Sequence, residues 1–376
     1  MKSVTEILEQ LKAIAENPRA QKDALIASGK KVVLTAPVYT PEELVHSLGM
    51  VPMGAWGGDI ELMEAKRYFP AFICSIVQSL VELGIKGVYD GVSAVIIPSL
   101  CDSLKVVGEN WKYAVPNIPF LPMTYPQNRK PEYGKEFTKK GYEKLIEELE
   151  KISGETFEDG KLAQSIRIYN EHNALMRELS EVLADHPEVT AAQRSVVFKS
   201  AFFMLKEEHS KVIRELLEAL KEQKPGEAKI KIMTTGILAD SPSLLNIIDS
   251  NGLQIVADDV AAESRQYRTD ALEDTTALDS LSGKFCAMDH CSVLYDVEKK
   301  RIDLIVETAK NHGARGVLMV LTKFCDPEEF DYPLIKKACD AAGLPIILIE
   351  VDRQMENYEQ AGTMIETFKD MLGKNS

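Results

Sequence analysis

The sequence predicts an α/β protein that consists of two parallel-sheet domains of the Rossmann or flavodoxin type, with helices inserted between them. Short buried strands alternate with helices, as at 31–56, where residues 32–34 have a strand pattern and Gly49 ends the helix that follows. The same order returns at 228–259. Between them, residues 139–224 show helical periodicity without a strand signal. Alternation of this kind is typical of a parallel sheet covered on both faces.

The predicted elements divide the chain into four parts. We expect an N-terminal helix at 1–28, a first α/β domain at 29–138, a helical region at 139–226 and a second α/β domain at 227–376. The two α/β domains look duplicated, because "VSAVIIPSLCDSLK" and "ARGVLMVLTKFCDPEE" both run from a buried strand through Cys-Asp into a helix. A chain of 376 residues is also too long for one ordinary core.

Charge and hydrophobic pattern exclude several classes of protein. The formal net charge of −14 disfavours a nucleic-acid partner, because phosphate binding needs a concentrated basic surface. No apolar run approaches the roughly 20 residues that span a bilayer. The N-terminal "MKSVTEILEQLKAIAENP" is an amphipathic helix without the apolar core of a signal peptide, so we expect a cytoplasmic protein.

The six cysteines are the residues of the sequence that are most able to bind a metal or to react. None forms a C-x-x-C pair, so zinc-ribbon and thioredoxin-like sites are not predicted. Disulfides are not expected in a reducing cytoplasm. Three interpretations remain, namely buried thiols, a catalytic thiol or a metal site assembled from distant segments, for Cys74, Cys101, Cys286, Cys291, Cys325 and Cys339.

Three of these cysteines are expected near helix N-termini. Cys101 and Cys325 each follow a predicted strand and precede a helix, at the sheet edge where open parallel sheets bind ligands. Cys74 lies near the start of another helix, and helix N-termini favour thiolate over thiol. Three converging thiolates could hold an iron–sulfur cluster. Buried packing remains the other interpretation, since spacings of 27 and 224 residues match no local cluster motif.

Charged residues near these positions have two interpretations each. Asp102 and Asp326 follow two of the cysteines and could tune a cluster through hydrogen bonds. We expect them instead to be helix N-caps, a role that also fixes the cysteine position. Arg265 and Arg268, in "DDVAAESRQYRTD", could hold CoA phosphates or contact a partner subunit. Alternatively they are solvated charges, because no nearby acid has the i+3 or i+4 spacing of a helical ion pair.

The remaining cysteines carry weaker signals. Cys291 follows Asp289 and His290, which suggests a nucleophile with a base, but adjacent residues rarely point together and catalytic triads are spatial rather than sequential. A place near a cluster stays open for Cys291. Cys286 and Cys339 are expected to be packing residues.

Five segments occur in order along almost the whole chain: "PVYTPEELVHSLGMVPMGAWG", "YFPAFICS", "SLCDSLK", "DDVAAESRQYR" and "KFCDPEEFDYP". In these motifs the sequence resembles the 2-hydroxyacyl-CoA dehydratases, a family that also includes subunits of benzoyl-CoA reductase. In size it is similar to the shorter, β-type subunit of the heterodimeric enzymes. The resemblance implies that Cys74, Cys101 and Cys325 ligate a [4Fe–4S] cluster.

The resemblance also implies a reaction and partners. The family converts an (R)-2-hydroxyacyl-CoA into an (E)-2-enoyl-CoA by one-electron, ketyl radical elimination of water. A larger α-type subunit is implied to bind the acyl-CoA substrate, and an ATP-hydrolysing iron–sulfur activator to supply the electron. The cluster of this chain would then be a relay or reservoir, so no catalytic base is assigned here. A flavin stays open as a further cofactor.

Several alternatives remain at this point. Within the family they are a benzoyl-CoA reductase-type subunit and a homologue that acts without a partner. Outside it, a non-redox, two-lobed small-molecule binding protein would also have paired α/β domains, although it has no use for three converging cysteines. A scaffolding subunit with an inert core is the last alternative.

Overall fold

The computed structural model describes residues 2–374 and contains two four-stranded sheets in which all neighbouring strands are parallel. The strand order is β2-β1-β3-β4 in the first sheet and β6-β5-β7-β8 in the second. The predicted fold class, with two parallel-sheet domains, is confirmed. The strands are β1 Val32–Thr35, β2 Val51–Gly54, β3 Ala94–Pro98, β4 Phe120–Met123, β5 Ile230–Gly236, β6 Leu253–Val260, β7 Val317–Thr322 and β8 Ile346–Val351.

Helices cover both sheets and fill the segment between them. Every residue of β1, β3, β6 and β7 is buried, as expected for strands with helices on both faces. The helices are α1 Val4–Ala15, α2 Pro18–Ala27, α3 Glu42–Ser47, α4 Ser75–Ile85, α5 Asp102–Ala114, α6 Glu132–Ser153, α7 Asp159–Ala184, α8 Ala191–Ser200, α9 Lys206–Glu222, α10 Pro242–Ser250, α11 Ala277–Ala287, α12 Arg301–Asn311, α13 Asp326–Ala341 and α14 Glu359–Lys374.

The two sheets repeat one topology. In each, the first strand pairs with the second on one side and the third on the other, and the fourth strand extends the sheet beyond the third. Strand β3 therefore corresponds to β7, and helix α5 corresponds to α13. The Cys-Asp dipeptides lie at these two equivalent junctions.

Helices α6 to α9 lie between the two sheets in sequence, and they begin before the range expected for the helical region. Helix α6 begins at Glu132, directly after Pro131, and so starts inside the range expected for the first α/β domain. Helix α1 packs into the same region, since Ile7 and Leu11 share a buried cluster with Leu179 and Ile213. The amphipathic N-terminal helix thus buries its apolar face against the helical region.

In the part of the chain that the structure describes, every helix is too short or too polar to cross a bilayer.

Candidate functional site

Three cysteines occupy the N-cap positions of three helices. Cys74 precedes α4, Cys101 precedes α5 and Cys325 precedes α13. The prediction that Asp102 and Asp326 are N-caps is wrong, because each is the first helical residue and the cysteine before it has the cap position. Both carboxylates still lie in the first turn of their helix, where a negative charge interacts favourably with the helix dipole.

The N-termini of these three helices meet at Cys74. Burial raises the pKa of Cys74. The backbone N–H groups of Val77 and Ile76, in its own helix, and the Ser103 hydroxyl of α5 lie close enough to the sulfur to oppose this rise. The carboxylate of Asp326, at the start of α13, is close enough to raise the pKa of Cys74. Segments far apart in sequence are therefore brought to one place.

The other two thiols lie in the same neighbourhood. Burial and the neighbouring Cys74 raise the pKa of Cys101 to about 12, although the nearby N–H groups of Leu104 and Ser103 oppose the rise. Burial also raises the pKa of Cys325 well above its ordinary value, and Cys74 and Cys101 contribute to that rise. The three sulfurs are thus near enough to repel one another as thiolates.

The raised pKa values of these thiols contradict one expectation from the sequence. Helix N-termini were expected to favour thiolates at Cys74, Cys101 and Cys325, but burial outweighs the helix dipole at all three. Without a metal, the three side chains are neutral thiols at physiological pH. A metal that binds them must therefore displace their protons.

The donor set fits an iron–sulfur cluster better than a single ion. All six cysteines are free thiols, and the three at the helix N-termini lie in or against the main apolar cluster. Within residues 2–374, no three His, Cys, Asp or Glu side chains are placed to hold one metal ion. An iron–sulfur cube spreads its cysteine ligands farther apart than one ion does, and sulfur is the donor its irons take.

A network of buried ion pairs lies near Cys325. Its two acids are Asp259, at the carboxyl end of β6, and Glu328, in the first turn of α13. Asp259 accepts hydrogen bonds from Arg301 (2.7 Å), Arg268 (2.7 Å) and Arg265 (3.0 Å). Glu328 accepts from Arg301 (2.8 Å) and Arg265 (3.3 Å). Burial opposes ionisation of both acids, yet these guanidinium groups hold the pKa of each below its ordinary value.

Glu328 links this network to the cysteine site. Its backbone N–H donates a hydrogen bond to the carbonyl oxygen of Cys325 (3.0 Å), while its carboxylate also accepts one from Ser292 (2.7 Å). The network therefore fixes the first turn of α13, and with it the position of Cys325. The sequence analysis did not single out Glu328 or Arg301, and Arg301 lies outside the five motif segments.

Arg265 and Arg268 are not fully solvated, since the first is buried and the second is partly buried. Arg265 is only 4% exposed and is paired with Asp259 and Glu328, so the solvated interpretation is wrong for this residue. The spacing rule failed because Asp259 reaches both arginines from the end of a strand rather than along a helix. Arg268 pairs with Asp259 as well and keeps partial exposure. A contact of either arginine with CoA phosphate or a partner subunit stays a prediction.

The remaining cysteines lie outside the three-helix junction. Cys291 is buried, with its sulfur 3.6 Å from Nη1 of Arg265, whereas the neighbouring Asp289 pairs with Arg129 and Lys130. The carboxylate of Asp289 is thus engaged elsewhere. Cys339 is fully buried in an apolar cluster, which confirms its predicted packing role.

Comparison with known proteins places the chain among relatives of matching length. Residues 37–372 match the family model described as 2-hydroxyglutaryl-CoA dehydratase, D-component. The chain is 48% identical to the (R)-phenyllactyl-CoA dehydratase beta subunit of Clostridium sporogenes, over 99% of this chain and 100% of that protein.

Two further relatives are also beta subunits of CoA-ester dehydratases. The lactoyl-CoA dehydratase subunit beta of Anaerotignum propionicum is 39% identical, over 99% of this chain and all of that protein. The (R)-2-hydroxyglutaryl-CoA dehydratase subunit beta of Acidaminococcus fermentans is 34% identical, over 98% of this chain and all of that protein. The chain therefore belongs to the 2-hydroxyglutaryl-CoA dehydratase D-component family.

Proposed function

We propose that this chain is the β-type subunit of a heterodimeric (R)-2-hydroxyacyl-CoA dehydratase, and that Cys74, Cys101 and Cys325 hold a [4Fe–4S] cluster in it. The convergence of three helix N-termini, each with a cysteine at its N-cap, is the observation that carries the proposal. The match to three dehydratase beta subunits supports the reaction class.

The reaction explains why such a subunit would carry a redox cofactor. The proton lost from C3 of a 2-hydroxyacyl-CoA is scarcely acidic, and acid–base catalysis contributes only about 10²–10⁴-fold. When bound, a low-potential cluster supplies one electron, which opens the ketyl radical route to the (E)-2-enoyl-CoA. The barrier that general acid–base groups cannot lower is thereby avoided.

The residues of this chain would hold and insulate the cluster. The backbone N–H groups of Val77 and Leu104 lie close enough to the sulfurs of Cys74 and Cys101 to lower the pKa of these thiols. N–H groups near the sulfurs tune the potential of a cluster, and the apolar surroundings keep water away. No side chain here is assigned as a general base, which fits a chain that stores or relays an electron.

Two large apolar side chains near the cysteines in sequence are exposed. Phe72, two residues before Cys74, is 72% exposed, and Phe330, five residues after Cys325, is 77% exposed. Large apolar side chains exposed to this degree favour contact with a partner protein, and the proposed partner is the larger α-type subunit.

We expect Phe330→Glu to weaken binding of the α-type subunit. A charge in the apolar centre of an interface should raise the dissociation constant at least about tenfold. Co-purification from cells that express both chains, followed by analytical ultracentrifugation, measures the change. Met371→Glu, on the exposed side of α14, is the matched control and should leave assembly intact. Equal assembly of both variants would exclude Phe330 from the interface.

Anaerobic purification tests the proposed cofactor directly. We expect a brown protein with broad absorbance near 400 nm and about four iron atoms per chain, the content of one [4Fe–4S] cluster. Co-expression with candidate α-type subunits and an ATP-dependent activator, followed by a panel of 2-hydroxyacyl-CoA esters, then tests the reaction. A colourless, iron-free chain would contradict the proposal. Turnover of benzoyl-CoA instead would favour the reductase-type alternative.

A further inference from the structure

Glu328 is placed to act on the charge at Cys325. It is the third residue of helix α13, and Cys325 is the N-cap of that helix. The Glu328 N–H donates to the Cys325 carbonyl oxygen at 3.0 Å, and in a first turn of this kind the third side chain lies near the cap. Burial is the main cause of the raised pKa of Cys325, and the Glu328 carboxylate is the strongest of the charges that add to it. A charge that disfavours a thiolate there also disfavours an added electron.

Two other acids near the cysteines are exposed, whereas Glu328 is completely buried. After burial, Asp102 and Asp326 also contribute to the raised pKa of a neighbouring cysteine thiol. The Asp102 side chain is 88% exposed and pairs with Lys105 at 3.2 Å, and Asp326 is exposed as well. Water and salt screen exposed charges strongly and buried charges much less. The Glu328 carboxylate is therefore the least screened of the three negative charges.

The arginines around Glu328 do not cancel its charge, because they are shared with other acids. Besides Glu328, Arg301 binds Asp331 (3.0 Å). Arg301 and Arg265 also both bind Asp259, at 2.7 Å and 3.0 Å. All five residues are buried, which places three acids against two guanidinium groups. The other cations bonded to these acids lie at the edge of the network and are partly exposed. The buried part of the network thus has an excess of negative charge.

We propose that the carboxylate of Glu328 lowers the reduction potential of the cluster that Cys74, Cys101 and Cys325 hold. The inference rests on the proposed function only in requiring that cluster. Reduction adds one electron to the cube and forms or breaks no bond, and a nearby unscreened negative charge raises the energy of the reduced form. Glu328 thus acts through its charge and touches no substrate. An electron held at such a site is passed on to a partner more readily.

Glu328→Gln tests the charge, because glutamine has nearly the same shape as glutamate and no charge. The anaerobically purified chain is titrated with dithionite in the presence of low-potential mediators, and the reduced cluster is measured by electron paramagnetic resonance. At a fixed potential the ratio of reduced to oxidised cluster should rise at least tenfold, a shift of about 59 mV for one electron. Coulomb energies within one helical turn, at an effective dielectric constant of about 20, are large enough for this effect. The iron content should stay at about four atoms per chain.

Asp102→Asn is the matched control for Glu328→Gln. It removes an acid from the first turn of α5, which also begins at one of the three cysteines, but this acid is exposed. The ratio of reduced to oxidised cluster should rise by no more than about threefold at about 0.1 M salt. This change should vanish at about 1 M salt, where the Debye length falls from about 10 Å to about 3 Å. The change in Glu328→Gln should persist at the higher salt concentration, because its charge is buried.

Two further variants separate charge from structure. Ser292→Ala removes a hydrogen bond to the same carboxylate and keeps its charge, so the ratio should not change. Arg268→Gln removes a partly exposed positive charge from the network and should lower the ratio about twofold. It decides the test alone if Glu328→Gln loses its iron.

Three results would overturn the role of Glu328. They are a rise of less than about threefold in Glu328→Gln, an equal rise in Ser292→Ala, and an unchanged ratio in Arg268→Gln. A wild-type chain without iron would instead contradict the proposed cluster itself.

Discussion

Replacing Cys325 with alanine should remove the iron from this chain and abolish dehydratase turnover of the assembled enzyme. Iron should fall from about four atoms per chain to near zero, because two remaining cysteine ligands do not retain the cube. The absorbance near 400 nm should vanish with it. Iron analysis after anaerobic purification and turnover with the α-type subunit and activator measure the two effects.

The control for this variant lies on the same helix. Cys339→Ala removes a thiol from α13 that is packed in an apolar cluster, away from the junction of α4, α5 and α13. It should keep its full iron content. Circular dichroism of the Cys325→Ala chain should match that of the wild-type chain after iron removal, which separates ligand loss from misfolding. Full iron and full activity in Cys325→Ala would exclude this residue as a ligand.

Replacing Asp259 with alanine should cost the protein about 3–5 kcal/mol of unfolding free energy. Asp259 is completely buried, and its two oxygens accept hydrogen bonds from three guanidinium groups and from the Thr235 hydroxyl (3.0 Å). Without it, Arg265 and Arg301 remain buried with less negative charge to offset them. Urea unfolding of both chains, with the slope compared, measures the loss.

The matched control is an aspartate in an exposed ion pair. Asp340 pairs with Lys336 at 2.8 Å on the surface of α13, and such pairs contribute about 0–1 kcal/mol. Asp340→Ala should therefore unfold at nearly the same urea concentration as the wild-type chain. If Asp259→Ala lost no more stability than Asp340→Ala, the buried network would not be a main support of the second domain.

The fold could be predicted because its signals are local. Strands β3 and β7 are short apolar runs, and each is followed within a few residues by a helix start that can be recognised in the sequence. Repetition of that order predicted the duplicated sheets. It also predicted that Cys101 and Cys325 lie at equivalent edges, since the carboxyl ends of parallel strands point the same way.

What could not be predicted depends on contacts between distant segments. Asp259 and Arg301 form an ion pair although they are 42 positions apart in sequence, and no helical spacing predicts this pair. The thiolate form expected for Cys74, Cys101 and Cys325 was wrong for the same reason. A helix start can be recognised in the sequence, whereas burial by distant segments cannot. The N-cap assignment of Asp102 failed by one residue, a shift that local patterns do not resolve.

The distribution of the cysteines along the chain constrains when the site is completed during synthesis. Cys325 is added 224 residues after Cys101, in the second of two repeated sheets. At about 5–20 residues per second, the ribosome needs roughly 11–45 s to cover that interval. The third of these cysteines is thus made only when most of the polypeptide exists, so the proposed cluster could be completed only late in synthesis or after it.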